Sequence, residues 1–161
     1  MSGSAPKITP PKVSEAKVAI ISARWNEQIC DSLVAGAKRA LEEAGVRKIE
    51  INYVAGSFEL PLAAQFALKA GADLAVVLGV VLRGETPHFD YVCQGVTDGI
   101  MRVSLDLDKP IGFGVLTVDT VEQAIARSGI PGSKEDKGYD SAIAALDLLR
   151  AKRELFDRFA R

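Results

Sequence analysis

From Lys17 onward, short apolar runs alternate with longer stretches in which apolar residues recur at helical spacing. That alternation predicts a layered α/β domain built on a parallel sheet. Strands are expected over Val18–Ser22, Ile49–Val54, Leu74–Leu82 and Ile111–Val118, four in all. The third, Leu-Ala-Val-Val-Leu-Gly-Val-Val-Leu, carries no charge and is apolar on both faces, as a central strand covered from each side must be.

The helices between them have readable ends. Asn26 is the expected cap of a helix running to about Ala44, with Ile29, Leu33, Ala37, Ala40, Leu41 and Ala44 as its inward stripe and Gly45 as its stop. A second helix is expected from Leu60 to Ala70, ending at Gly71. The third takes Thr86 as cap and Pro87 as its first residue, and buries Phe89, Val92, Val96, Ile100 and Val103. Thr120-Val-Glu-Gln123 reads as a capping box opening a short helix to about Ser128. After a Gly-rich break, Ile143, Leu146, Leu149, Leu155 and Phe159 form the inward stripe of a long helix from about Lys137 to the C-terminus, with a basic, solvated outer face. Residues 1–14, rich in Pro, Ser and Lys, are expected to form a flexible arm that is neither signal peptide nor membrane anchor, leaving 15–161 as one domain.

Composition narrows the chemistry. A chain of 161 residues, 48% hydrophobic, has room for one full domain and can bury a core without staples. Twenty Lys and Arg against 21 Asp and Glu give a net charge of −1, which argues against whole-protein electrostatic binding of nucleic acid. His88 is the sole histidine, and Cys30 and Cys93 lie too far apart in sequence for paired ligand spacing, so no metal site is expected. Both thiols fall inside apolar helical patterns, which suits a reduced, cytoplasmic protein.

In open α/β sheets, ligands bind beyond the carboxyl ends of the strands. Three segments should share that rim: Ala23-Arg24-Trp25-Asn26, Gly56-Ser57-Phe58-Glu59, and Arg83-Gly84-Glu85-Thr86-Pro87-His88. The last is a glycine turn entering a helix, and it offers free backbone N–H groups to an anion. Imidazole exchanges protons near neutral pH, so His88 beside that turn suggests acid–base chemistry on a phosphorylated substrate. The plainer alternative is a good helix start followed by an exposed first-turn residue. Trp25 at the mouth of a cleft can stack on a flat heterocycle, although a large apolar side chain is more often core. Glu59 can accept from ligand hydroxyls, or simply favour a helix N-terminus. Phe113 reads as core, and Arg127 as a helix-terminal cation. Lys137 is weaker still.

These segments converge on a known family. Gly56-Ser57-Phe58-Glu59-Leu60-Pro61, the run from Gly79 to Tyr91, Pro110 to Thr117, and Asp136-Lys137-Gly138 resemble the 6,7-dimethyl-8-ribityllumazine synthase family, with the likeness spanning Lys17 to about Leu155. The resemblance implies a flavodoxin-like three-layer sandwich, a four-stranded parallel sheet flanked by helices. It implies a transferase of riboflavin biosynthesis that uses no cofactor. Such an enzyme condenses 5-amino-6-(D-ribitylamino)uracil with 3,4-dihydroxy-2-butanone 4-phosphate and releases phosphate and water.

By motif position, Trp25 would stack on the pyrimidine. Ser57, Phe58 and Glu59 would hold the ribityl chain and ring edge, and the backbone at Val80 and Val81 would read the uracil edge. Gly84, Glu85 and Thr86 would bind phosphate, Glu85 through its N–H because a carboxylate would repel the anion. His88 would shuttle protons. Phe113, Arg127 and Lys137 would enter from a neighbouring subunit, with Arg127 as phosphate clamp. The resemblance further implies a homopentamer with sites at subunit interfaces and riboflavin synthase as a partner. Some members build icosahedral shells from pentamers. The loop between Arg127 and Lys137, longer than the compact turn of shell-forming members, is expected to leave this chain an isolated pentamer. Two other readings share the fold: a sugar-phosphate isomerase or aldolase using His88, which needs neither Trp25 nor Glu59, and a non-catalytic flavin or lumazine carrier.

Overall fold

The computed structural model describes residues 8–160. Its elements run β1 (Lys17–Ala23), α1 (Glu27–Glu43), β2 (Lys48–Val54), a single 3-10 turn (Ser57–Glu59) leading into α2 (Leu60–Lys69), β3 (Leu74–Leu82), α3 (His88–Leu107), β4 (Ile111–Val118), α4 (Val121–Ile125) and α5 (Lys137–Phe159). All strands pair in parallel, in the order β2-β1-β3-β4. This is the flavodoxin-like α/β sandwich, with bounds for β3 and β4 as the apolar runs predict.

The period-two alternation of the strands builds two cores. Val18 and Ile20 of β1, with Leu74, Val76 and Leu78 of β3, face α1 and α5. Ala19, Ile21, Ala75 and Val77 face α2 and α3. Right-handed crossovers explain this layering: the chain moves one way from β1 to β2, then back over β1 to β3 and on to β4, so α1 lies on one face and α2 and α3 on the other. The direction reverses between β1 and β3. At that point the loops leaving the two strands diverge and open a crevice.

Several local details depart from expectation. Asn26 occupies the cap of α1 with φ 59°, in the left-handed region Asn tolerates, but its side chain makes no capping bond. Its carbonyl instead accepts from Ile29 N and Cys30 N. Pro87, not Thr86, is the cap of α3, again without a side-chain bond, because the Pro87 side chain has no oxygen with which to accept from the first-turn N–H groups. Thr120 Oγ1 does accept from Gln123 N, yet Gln123 Oε1 accepts from Asp119 N, one residue before the cap, and α4 ends at Ile125 rather than near Ser128.

The inward stripe of α5 holds for Ile143, Leu146 and Leu149 but fails for Leu155 and Phe159, which are 52% and 85% exposed. The 23 residues of α5 extend about 34 Å against roughly 26 Å for β4, so the last turns outrun the sheet. Part of the N-terminal arm packs on the domain. Residues 1–7 of it lie outside the described residues, but Val13 is buried, Ile8 packs on the α1–α5 core, and Lys12 Nζ donates to Glu43 O at 3.0 Å, capping α1. Apolar residues at those two places and one cation at a helix C-terminus hold residues 8–13 against the domain.

Candidate active site

The crevice between the carboxyl ends of β1 and β3 encloses about 940 Å³. Each wall comes from one strand end. Trp25 and Asn26 follow β1, Ala55 to Glu59 follow β2, Val80 to Gly84 close β3, and Thr86, His88, Phe89, Tyr91 and Val92 bring in the start of α3. The rim predicted from the strand ends is therefore one continuous surface.

Trp25 is 73% exposed and Phe58 61% exposed, so both are cleft walls, and the core reading of Trp25 is corrected. The physical cause lies in the turn after β1. Asn26 bends the chain through the left-handed region, and Cys30 donates its Sγ–H to Trp25 O at 3.2 Å, which presents the indole outward. Burial pushes the Cys30 thiol up to about 11, leaving it a packed donor and no nucleophile.

Glu59 unites its two sequence readings. Its Oε2 accepts from Gly56 N at 2.8 Å and closes the 3-10 turn, while the carboxylate stays on the cleft surface. Ser57 is different. Its Oγ is buried, has no hydrogen-bond partner, and points at β3, where a Cβ on Gly79 would stand 2.6 Å away. Only a glycine at 79 leaves room for that hydroxyl.

At the opposite lip, Gly84, Thr86 and His88 are exposed, and the N–H groups of Gly84, Glu85, Thr86 and His88 donate to no acceptor among the described residues. Uncommitted amides at the head of a 20-residue helix have the chemistry to receive an anion. Glu85 does not line the cleft.

The sequence reading placed Arg83 on the rim but gave it no role. Its guanidinium donates to Asp119 Oδ1 at 2.7 Å and Asp90 Oδ1 at 3.3 Å and lies 4.1 Å from the Phe89 ring centroid. The Asp119 carboxylate in particular holds it above its ordinary pKa. One signal was available: Arg83 is the first charge after a charge-free strand.

The structure does not bring Phe113, Arg127 or Lys137 into this cleft. Phe113 lies on edge strand β4 and is 43% exposed, which corrects its core reading. Arg127 lines a separate hollow of about 270 Å³ with Glu122, Gln123, Ala126, Lys134 and Glu135, its Nη1 donating to Gln123 O at 2.9 Å. Lys137 is held by Glu135 and by Asp140, and the Glu135 carboxylate beside it raises its pKa above the usual lysine value. Among the described residues, no three His, Cys, Asp or Glu side chains gather as metal ligands, and no helix is long and apolar enough to cross a membrane.

Comparison with known proteins adds a second line. The family model described as 6,7-dimethyl-8-ribityllumazine synthase matches residues 15–153. The chain is similar to proteins of that name from Streptomyces coelicolor, at 51% identity over 91% of each chain, and from Frankia casuarinae, at 52% identity over 96% of this chain and 98% of the relative. A third, from Nocardioides sp., is 49% identical over 96% of this chain and 97% of its own.

Proposed function

The chain belongs to the 6,7-dimethyl-8-ribityllumazine synthase family, and from that premise we propose how its cleft performs the condensation of riboflavin biosynthesis. The reaction joins 5-amino-6-(D-ribitylamino)uracil to 3,4-dihydroxy-2-butanone 4-phosphate. The uracil's 5-amino group attacks the ketone and loses water to give an imine, phosphate leaves, and the ribitylamino nitrogen closes the second ring with loss of another water. The amine is itself the nucleophile, so the protein's task is to hold two reactants together and move protons.

Trp25 stacks on the pyrimidine. Phe58 and Glu59 hold the ribityl chain, Ser57 lies beneath the ring edge, and the backbone at Val80 and Val81 reads the uracil edge. The amides of Gly84, Glu85 and Thr86 receive the phosphate. His88, on the same lip, takes the proton lost as the imine forms and returns one as phosphate departs. Phe113, Arg127 and Lys137 complete the site from a neighbouring chain, with Arg127 neutralising the phosphate.

One observation carries this reading: the aromatic wall, the uncommitted amides of Gly84, Thr86 and His88, and the only imidazole share one cleft, whereas Arg127, the cation this reading gives to the phosphate, lines a separate hollow. Exposed apolar side chains on α2 and α3, Leu62, Phe66, Met101 and Leu105, and on β4 and α4, Phe113, Val121 and Ile125, support two faces that meet head to tail. A ring of such contacts closes as a homopentamer. The loop between Arg127 and Lys137 leaves it an isolated ring, and a sedimentation peak near that of a shell would contradict this. Free Cys30 and Cys93 support a cytoplasmic location. The lumazine product would then pass to riboflavin synthase as a transient partner.

Co-expression tests the shared site. A chain carrying Trp25→Ala and His88→Ala has a disabled cleft but an intact donated half, and Arg127→Ala has the converse. Random co-assembly in a head-to-tail ring restores about a quarter of the sites. Recovery of roughly that share of wild-type activity, absent from either parent alone, supports the proposal; no recovery overturns it.

A further inference from the structure

The segment that carries Arg127 and Lys137 is closed on itself by backbone bonds. Lys134 N and Glu135 N donate to Ala126 O at 3.0 and 3.1 Å, Gly129 N to Glu135 O at 3.1 Å, and Lys137 N to Arg127 O at 2.9 Å. The last bond sets the two cationic residues opposite each other, beside an isolated bridge between Ser128 and Asp136.

Asp136 ties this closed segment to the rest of the domain. Its Oδ1 accepts from Tyr139 N at 2.9 Å and caps α5, while its Oδ2 accepts from Arg39 Nη2 of α1 at 2.5 Å. Two glycines make room for the carboxylate. A Cβ on Gly36 of α1 would stand 2.3 Å from Asp136 Oδ1, and one on Gly129 would stand 2.6 Å from Asp136 Oδ2, where φ of +79° independently favours glycine. The same guanidinium lies 5.4 Å from the Tyr139 ring, whose hydroxyl donates to Glu43 Oε2 at 2.6 Å.

A helix cap by itself needs one acceptor for one N–H. It explains neither a slot cut into α1 nor a cation brought across from α1 to fill the second oxygen. We infer that Asp136 is a positioning residue for the donated half of the site: by gripping α1 through Arg39 and α5 through Tyr139 N–H, it sets where Arg127 and Lys137 stand toward the neighbouring chain. The inference rests on the reading of Arg127 as the phosphate clamp of that neighbour's cleft. Charge-assisted bonds to phosphate form over a narrow range of distance, so a shift of the segment by an ångström weakens the clamp without altering the cleft that holds the uracil.

The test is the pair of KM values. Asp136→Ala is expected to raise KM for the butanone phosphate about tenfold and to leave KM for the ribitylaminouracil within about twofold. Asp136→Asn keeps an acceptor for Tyr139 N and loses the charge that holds Arg39; it and Arg39→Ala give smaller rises in the same KM and remain informative if the alanine variant folds poorly. Tyr139→Phe, which removes the bond to Glu43 and spares the carboxylate, leaves both KM values unchanged. Co-expression adds a readout that stability cannot mimic: Asp136→Ala regains activity with the Trp25→Ala/His88→Ala chain and gains none with Arg127→Ala.

Loss of thermal stability in the Asp136 variants with the two KM values unchanged, or moving together, reduces Asp136 to a cap and overturns the inference. So does mutual rescue of Asp136→Ala and Arg127→Ala. If Arg127→Ala itself leaves the phosphate KM unchanged, it is the clamp reading that has failed, and this inference falls with it.

Discussion

Arg83 Nε donates to Asp119 Oδ1 at 2.7 Å, joining the residue that leaves β3 to the residue that leaves β4 at the lip of the cleft. Because Arg83 also meets Asp90 in the first turn of α3, one guanidinium spans both sides of the Gly84–His88 turn, whose amides are proposed to receive the phosphate. Exposed ion pairs contribute little to stability, so the value of this arrangement lies in geometry. Arg83→Ala should lower thermal stability only slightly and raise KM for the phosphate substrate several-fold, by about 1 kcal/mol of lost binding. A kinetic titration of each substrate checks this, and an unchanged KM would separate Arg83 from the site.

In the proposed mechanism His88 moves protons for a reaction whose nucleophile the substrate supplies. His88→Ala is therefore expected to lower kcat by about 10- to 100-fold without abolishing turnover, since general acid–base catalysis contributes on that order and positioning survives. Single-turnover rates would show it; complete loss of activity in a folded variant would mean that His88 does more than shuttle a proton.

Ser57 Oγ is buried without a partner, and an unpaired buried hydroxyl costs free energy. Ser57→Ala should raise the stability of the free protein by about 1 kcal/mol, measured by denaturant unfolding of the assembly. A loss of stability would show that the hydroxyl has a partner in solution.

Trp25 is the only indole and stands exposed in the cleft wall. Titration with the lumazine product or riboflavin should quench its emission to saturation, and Glu59→Gln should shift the midpoint without changing the final quench. An emission that ignores the ligand would remove Trp25 from the stacking position.

What the chain disclosed about itself depends on where the information lies. β3 and β4 were legible to the residue because charge-free or alternating apolar runs end abruptly at Arg83 and Asp119. Leu155 and Phe159 share the helical period of Leu146, and no local pattern says that the sheet ends before they do. Trp25 was ambiguous for a related reason: its exposure follows from the left-handed turn at Asn26 and the Cys30 bond, which belong to the loop's geometry rather than its composition. Phe113, Arg127 and Lys137 were assigned to the site through family resemblance, and within one folded chain they remain outside the cleft. A residue whose function lies across an interface leaves no signal in its own chain's periodicity. Arg83 shows the converse, since its partners Asp90 and Asp119 lie 7 and 36 residues away and only the fold brings them together.

The most direct measurement mixes the purified protein with the ribitylaminouracil and the butanone phosphate and follows lumazine formation optically, with the uncatalysed reaction subtracted. The account predicts rapid product formation that Arg127→Ala slows by raising the requirement for the phosphate substrate. No acceleration above background, while riboflavin still quenches Trp25, would contradict it and leave a binding protein that keeps the cleft without the chemistry.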